Sequence, residues 1–570
     1  MRYVFRRNSS VGAMDAESDE RFLRDCFLDT GDLESLADCD DPKRIVVGRV
    51  GAGKSALLTR LLEVQANAFE IRAESLSLSY VANSDIIQFF ESAGVKLDLF
   101  YQLLWRHVFV VELLCKKYRI SANDPWSFLD QFRDLFQRDH AKKRAVEYLR
   151  QWNDHFWQDT ETRVKEFTSK LESKLSGAID AKAYGITLNA AGARTLSDEV
   201  KAEVLHKAQS IVNENQVREL GEIITLLADE VFTDPKNRFY LVIDRLDESW
   251  VDDRIRFKLI RALIETVKAF QRVRSVKAVI AIREDLLRTV FEETRDAGFQ
   301  EEKFEGLILR LRWSKAQLKQ LLDLRIDKLI REPYTQKKVA FDDVFRGAVR
   351  GESAIDYLIT RTLLRPRDAI AFVNCCIELC EGKEYVPPST VQDAERKYSI
   401  GRLRSLRDEW SGHYASLEAC TELLRGRQSH FKYSEITESQ LQECLQEHWL
   451  GIPHTDPVGI AANDYLQNQR NANACIIQIL KILYTVSIVG IKPEATERVS
   501  WSHLDDRGIS DGQYKKSSSI AVHPMLWRSL DIALPIRADR RRRATDDRAK
   551  EDHRKRGREP RGKQQPNSVE

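Results

Sequence analysis

Eight residues, GRVGAGKS from Gly48 to Ser55, constrain this chain more than anything else in it. They match the pattern Gly-x-x-x-x-Gly-Lys-Ser/Thr. Ile45, Val46 and Val47 form an apolar run before it, and Ala56, Leu57, Leu58, Leu61 and Leu62 recur at helical spacing after it. The segment therefore reads as strand, glycine-rich turn, helix. Glycines let consecutive backbone N–H groups turn inward around a phosphate where a Cβ would obstruct. The following helix points its positive end at the same place. In such a loop the lysine reaches the β- and γ-phosphates and the hydroxyl ligates Mg²⁺. Gly48, Gly51, Ala52, Gly53, Lys54, Ser55 and Ala56 are thus the candidate nucleotide-binding residues, with Ser55 also a candidate metal ligand.

A second stretch, YLVIDRLDESW from Tyr240 to Trp250, sets an apolar run against three acids. A carboxylate at the end of a buried strand is costly unless it meets a cation or donors. Beside a phosphate loop, Asp244 meets that requirement by orienting hydrated Mg²⁺. Asp247 and Glu248 lie one turn beyond, where the attacking water belongs, and one of them polarises it. The chain carries no Asn-Lys-x-Asp loop of the kind that recognises guanine, so ATP with Mg²⁺ is the expected cofactor pair.

The stretch LVIDRLDE resembles the second acidic motif of the NACHT and KAP P-loop ATPases, within the signal-transduction (STAND) class. Asp244, Leu246, Asp247 and Glu248 match its pattern, with Arg245 where the NACHT pattern has a small residue. The resemblance favours Glu248 over Asp247 as the polarising base. It implies that Arg283, at the end of the apolar run Val276–Ile282, senses the γ-phosphate. In LLRPRDAIAFVN it implies Arg367 as the lid sensor, with Arg365 second. It also implies an ATP-operated switch that slow hydrolysis resets, and bacterial relatives of this type point to anti-phage defence. No nuclease, protease or TIR-like effector is evident in the chain, so a separate protein effector or self-association is expected.

The expected architecture is α/β: a parallel αβα P-loop NTPase core with a large helical insertion, a helical lid and a C-terminal winged-helix-like domain. The boundaries read as a disordered N-terminus (1–20), core (21–95), insertion (96–235), core (236–315), lid (316–390), a helical and mixed region (391–470) and the winged-helix-like domain (471–536). A disordered basic tail (537–570) follows. That tail holds 13 Lys/Arg against 7 Asp/Glu, so the net charge of +2 conceals a mildly acidic body. The tail is a candidate for weak, sequence-independent nucleic-acid binding. This opens a second functional reading, a nucleic-acid-associated ATPase, which DNA- or RNA-stimulated hydrolysis would separate from the switch. The most apolar stretch, Leu97–Cys115, is interrupted by Asp98, Arg106, His107 and Glu112 and reads as a buried helix, so no membrane partner is expected. Nine scattered cysteines without Cys-x-x-Cys pairs fit a reducing, cytoplasmic setting. Cys375, Cys376, Cys380, Cys444, His448 and His454 read as core or surface positions and not as metal ligands.

Overall fold

The parallel strands that the two motifs require are present. The computed structural model describes residues 3–72, 97–118, 199, 221–222, 224–248, 253–295, 300–334, 336–448, 451–467, 472–505 and 507–534. Within the insertion the sequence also reads as an aromatic stripe from Phe128 to Trp157, a loop at Ser176–Arg194 and a helix over Thr195–Val231; all but part of that helix lie outside these residues, and so does the basic tail.

The chain divides into two compact units. The first comprises Met1–Tyr3, Asn8–Val344 and Leu364–Ala371. Its centre is a five-stranded sheet of β1 (Ile45–Gly48), β2 (Ala68–Glu70), β3 (Phe239–Ile243), β4 (Val276–Arg283) and β5 (Ile308–Arg310), ordered β2-β3-β4-β1-β5. Every pairing is parallel. Strands buried on both faces need apolar side chains at every position, and β3 and nearly all of β4 are buried throughout. Alternate residues serve opposite layers. Ile45, Val47, Leu241, Ile243 and Ile280 pack with the helices Asp98–Tyr118 and Asp253–Ala269. Val46, Tyr240, Val242 and Val279 pack with Asp32–Ala37 and Lys54–Val64. The result is consistent with an αβα P-loop NTPase core.

The strand carrying Asp244 is not the neighbour of the strand that feeds the phosphate loop; β4, which ends on Arg283, lies between them. Two expectations change here. The helix Asp98–Tyr118, assigned from sequence to an insertion, is part of the core: Trp105 is buried and donates from Nε1 to the Leu259 carbonyl at 2.9 Å. The N-terminus, expected to be disordered, is tied down where it is described. Val11 is buried, and the Arg325 guanidinium donates to its carbonyl and pairs with buried Asp19.

One buried cation organises the approach to β1. Lys277 on β4 has no exposed surface, and its ammonium donates to the carbonyls of Ser35, Asp38 and Asp41 at the end of helix Asp32–Ala37 and in the turn after it. Burial, reinforced by Arg44, pushes its pKa down to about 8. The unfolded chain therefore holds more protons between pH ~8 and the ordinary lysine value of about 10.5, and stability rises with pH across that window. Lys277→Met leaves three carbonyls without their donor and should cost about 2–4 kcal/mol at neutral pH. It should also flatten the alkaline rise. Urea unfolding of both proteins on either side of that window checks both effects.

The second unit comprises Val4–Arg7, Phe345–Leu363 and Phe372–Glu570. Phe5 is buried and exchanges backbone hydrogen bonds with Gly382 and Lys383, which again departs from a disordered N-terminus. A short hairpin joins β6 (Ala348–Val349) to β7 (Glu352–Ser353), and the helices Ala354–Ile359 and Pro388–Trp410 follow. Between those two helices Glu395 accepts from Tyr357, Arg361 and Arg528, so a buried carboxylate is fully paired. Burial alone would raise its pKa, but Arg361 and the other donors hold it below the usual carboxylate range. Farther on, an antiparallel sheet has the order β8-β10-β9, with β8 His430–Phe431, β9 Val489–Lys492 and β10 Ser519–Val522. Its edge strand β8 lies well before the boundary expected at 471. The stretch Glu497–Trp501 reads as a short strand in sequence, and in the structure it contributes a single bridge, between Ile491 and Ser500. His523 is buried, and its Nδ1 accepts from the Met525 N–H. Cys376, Cys380 and Cys444 are buried among apolar side chains. Among the described residues no helix is long and apolar enough to cross a membrane.

Candidate nucleotide-binding site

The phosphate loop leaves the C-terminal end of β1, as ligand loops of parallel sheets do. Two of its glycines take the left-handed backbone, Gly51 at φ 76° and Gly53 at φ 99°. Gly53 precedes the helix Lys54–Val64, whose first residues are Lys54 and Ser55. The Lys54 ammonium folds back on the loop, donating to the Gly48 and Arg49 carbonyls at 3.0 and 3.3 Å. Burial pushes its pKa down, and the carboxylates of Asp247 and Asp244 oppose that shift.

Gly51 has a second reason to be glycine. A Cβ built there would lie 2.6 Å from Cβ of Arg367. At Gly53 an added Cβ meets nothing within 4 Å. Gly51→Ala should therefore combine left-handed strain of about 1–3 kcal/mol with a clash, and destabilise more than Gly53→Ala, which carries strain alone. Thermal unfolding of the two variants without nucleotide compares them.

The acidic segment follows β3. Asp244 accepts the N–H of Arg245 at 2.8 Å, and Arg245 stands in the left-handed region at φ 58°. That conformation accounts for the small residue that the resembling pattern carries there. The Arg245 guanidinium pairs with Glu17 at 2.6 Å and lies 3.9 Å from Glu248.

Arg283, at the end of β4, is gripped by Asp285 through two hydrogen bonds of 3.1 and 2.7 Å. Its Nη1 lies 3.5 Å from Asp247. Sequence reasoning missed Asp285; its signal was a carboxylate two residues after the proposed sensor. The two lid arginines separate. Arg365 is buried, pairs with Asp368 and donates to the Val50 carbonyl. Arg367 lies against Gly51 and donates from Nε to the Met14 carbonyl at 3.0 Å.

Lys54, Ser55, Asp244, Asp247, Glu248, Arg283 and Arg367 line one cavity of about 400 Å³. Ala56, Gly51 and Gly53 also border it, whereas Gly48 and Ala52 are not among its lining residues. Leu23, Val50, Arg245, Arg325 and Ile370 are among the other wall residues, and so are the N-terminal residues Ala13 to Glu17. They were missed because sequence patterning assigned them no structure. Hard oxygen donors suit Mg²⁺, which commonly takes only one or two protein ligands and completes its shell with phosphate and water. Ser55 and Asp244 fit that role. Among the described residues no group of three or more His, Cys, Asp or Glu could hold a metal ion by itself.

Residues 316–407 match the family model of the FunZ-associated C-terminal helical domain, so Arg365 and Arg367 fall inside the matched segment. Over 535 residues the chain is 22% identical to the "Putative transposon gamma-delta 80.3 kDa protein" of Escherichia coli K12, covering 92% of this chain and 67% of that protein. Among solved structures, the ORC2 protein of Aeropyrum pernix, in ADPNP–ADP complexes, is similar at 11% identity. It covers 88% of this chain and 90% of that one, with a TM-score of 0.35. Likeness at that level carries no argument, and the nucleotide site rests on the geometry of the phosphate loop and the groups around it.

Proposed function

We propose that the chain is an ATP-binding and ATP-hydrolysing switch of the STAND type. The observation that carries this reading is the convergence on one cavity of the phosphate loop, the acids that follow β3, Arg283 at the end of β4 and Arg367 at the start of helix Pro366–Glu378. In this reading Lys54 neutralises phosphate charge, and Ser55 and Asp244 hold Mg²⁺. When bound, the ion screens the phosphates and orients the nucleotide. Glu248, the last acid of the resembling pattern, polarises the attacking water, while the Asp247 carboxylate lies beside Arg283 and Glu248 lies beside Arg245. Arg283, aimed by Asp285, and Arg367, carried on the lid segment, read the γ-phosphate. Hydrolysis is slow and regulatory. The STAND resemblance supports a setting in anti-phage defence, with the switch acting through a separate protein effector or through self-association.

Amide exchange tests the switch. ATP with Mg²⁺ should slow exchange over Gly48–Ser55 and also over the lid helices Lys315–Tyr334 and Pro366–Glu378. Slowing confined to the loop would leave an ATPase without a switch.

A second reading, a nucleic-acid-associated ATPase, draws on the antiparallel sheet order β8-β10-β9, which suits a winged-helix-like module, and on the transposon in the name of the Escherichia coli relative. The helix that precedes β9, Ala472–Thr485, weighs against direct reading of a groove. Cys475, Ile476, Ile479, Leu480, Leu483 and Tyr484 are all buried, and Lys481 is paired with Asp511. Its half-exposed face, Ala474, Gln478, Lys481 and Thr485, carries one cation, already paired, whereas a groove-reading helix presents several polar or basic side chains. Any nucleic-acid contact then falls to the basic tail. Truncation after Ile536 should remove most low-salt duplex binding, read by fluorescence anisotropy at two salt concentrations, and leave basal ATP turnover unchanged. Undiminished binding without the tail would favour the second reading.

A further inference from the structure

A phosphate-binding nest directs its N–H groups inward, so its carbonyls point outward and need donors of their own. Here three consecutive carbonyls each have one. The Val50 carbonyl accepts from Arg365 Nη1 at 3.0 Å. The Gly51 carbonyl accepts from the Arg367 N–H at 3.4 Å. The Ala52 carbonyl accepts from Trp313 Nε1 at 2.8 Å. None of these donors is local: Trp313 follows β5, and the arginines open the helix Pro366–Glu378. Arg365 is itself locked by buried Asp368, with hydrogen bonds of 3.0 and 3.2 Å. Leu364, just before it, takes the left-handed region at φ 51°, so the turn is bent to present Arg365 to the loop.

We propose that Arg365 and Trp313 are positioning residues that hold the outer carbonyls of the phosphate loop and thereby pre-set its N–H groups for phosphate. Neither reaches the nucleotide; each acts through the loop. Because Arg365 and Arg367 stand on one turn, the contact that shapes the loop and the residue that reads the γ-phosphate move together. The consequence for ATP rests on the nucleotide reading of the site, whereas the shaping of the loop does not.

The test uses the full chain and the variants Trp313→Phe, which removes one N–H and keeps the ring, Arg365→Lys, which keeps the charge and loses the fork, and the double variant. In nucleotide-free protein, amide exchange over Arg49–Ser55 should accelerate on the order of tenfold in the double variant, while the unfolding temperature stays close to wild type. Affinity for ATP and for inorganic tripolyphosphate should fall on the order of tenfold per lost contact, and affinity for adenosine should not change. A purely architectural role would lower all three affinities together, or the unfolding temperature, and would overturn the proposal. Unchanged loop exchange in the double variant would overturn it as well. If the wild-type chain binds neither ATP nor tripolyphosphate, the nucleotide reading fails, and the exchange measurement still decides whether the donors shape the loop.

Discussion

A Lys54→Ala chain is expected to fold and to lose measurable ATP affinity. In the proposed site the lysine would supply charge-assisted hydrogen bonds to two phosphates, each worth about 1.5–3 kcal/mol. That corresponds to roughly a 10–100-fold loss per contact, or about two to four orders of magnitude if both go. Truncation should also do little harm to the unliganded protein, because the ammonium now only closes onto two loop carbonyls, and burial already disfavours its charge. Fluorescence titration with a labelled ATP analogue, beside thermal unfolding, separates lost binding from lost fold. Near-normal affinity in a folded variant would remove the phosphate-loop assignment.

Glu248→Gln is expected to bind ATP with nearly wild-type affinity and to slow hydrolysis by about 10²–10⁴-fold, the usual contribution of a positioned base. Asp244→Asn should instead make turnover depend on raised Mg²⁺, since in the proposed site it would weaken a metal ligand. Asp247→Asn carries a different expectation. Its carboxylate lies 3.5 Å from Arg283, so its loss frees one side of the sensor and should reduce turnover less than Glu248→Gln does. Single-turnover assays on the three variants rank them. A dead Asp247→Asn beside an active Glu248→Gln would exchange the two roles.

The parts of this site that were legible in sequence are those whose signal is local. Glycine spacing, a lysine-serine pair and the apolar runs Ile45–Val47 and Leu241–Ile243 are short patterns fixed by backbone chemistry. They pointed to the loop and to Asp244, which border one cavity. What stayed hidden depends on partners far apart in the chain. The donors to the Val50 and Ala52 carbonyls lie 315 and 261 residues away from them. Nothing near Trp313 or Arg365 announces those contacts. The interposition of β4 between β1 and β3 is likewise a property of sheet order, which apolar runs do not encode. Residues 3–19 looked disordered because they are polar and glycine-containing. Their order comes from a few anchors, buried Phe5 and Val11 and the Asp19–Arg325 pair. Strand β8 is two residues long, too short for any period to register. The two arginines expected in the lid illustrate a related point: the resemblance ranks Arg367 before Arg365, but only packing assigns Arg365 to Asp368 and sets Arg367 at the cavity.

The decisive measurement is the release of phosphate from γ-labelled radioactive ATP by the purified full chain with Mg²⁺, with Lys54→Ala as its control. Slow release is expected, requiring both Mg²⁺ and Lys54 and left essentially unchanged by duplex DNA or RNA. A folded wild-type chain that releases no phosphate, or that releases it equally well without Lys54, would overturn the reading of this chain as an ATP-hydrolysing switch.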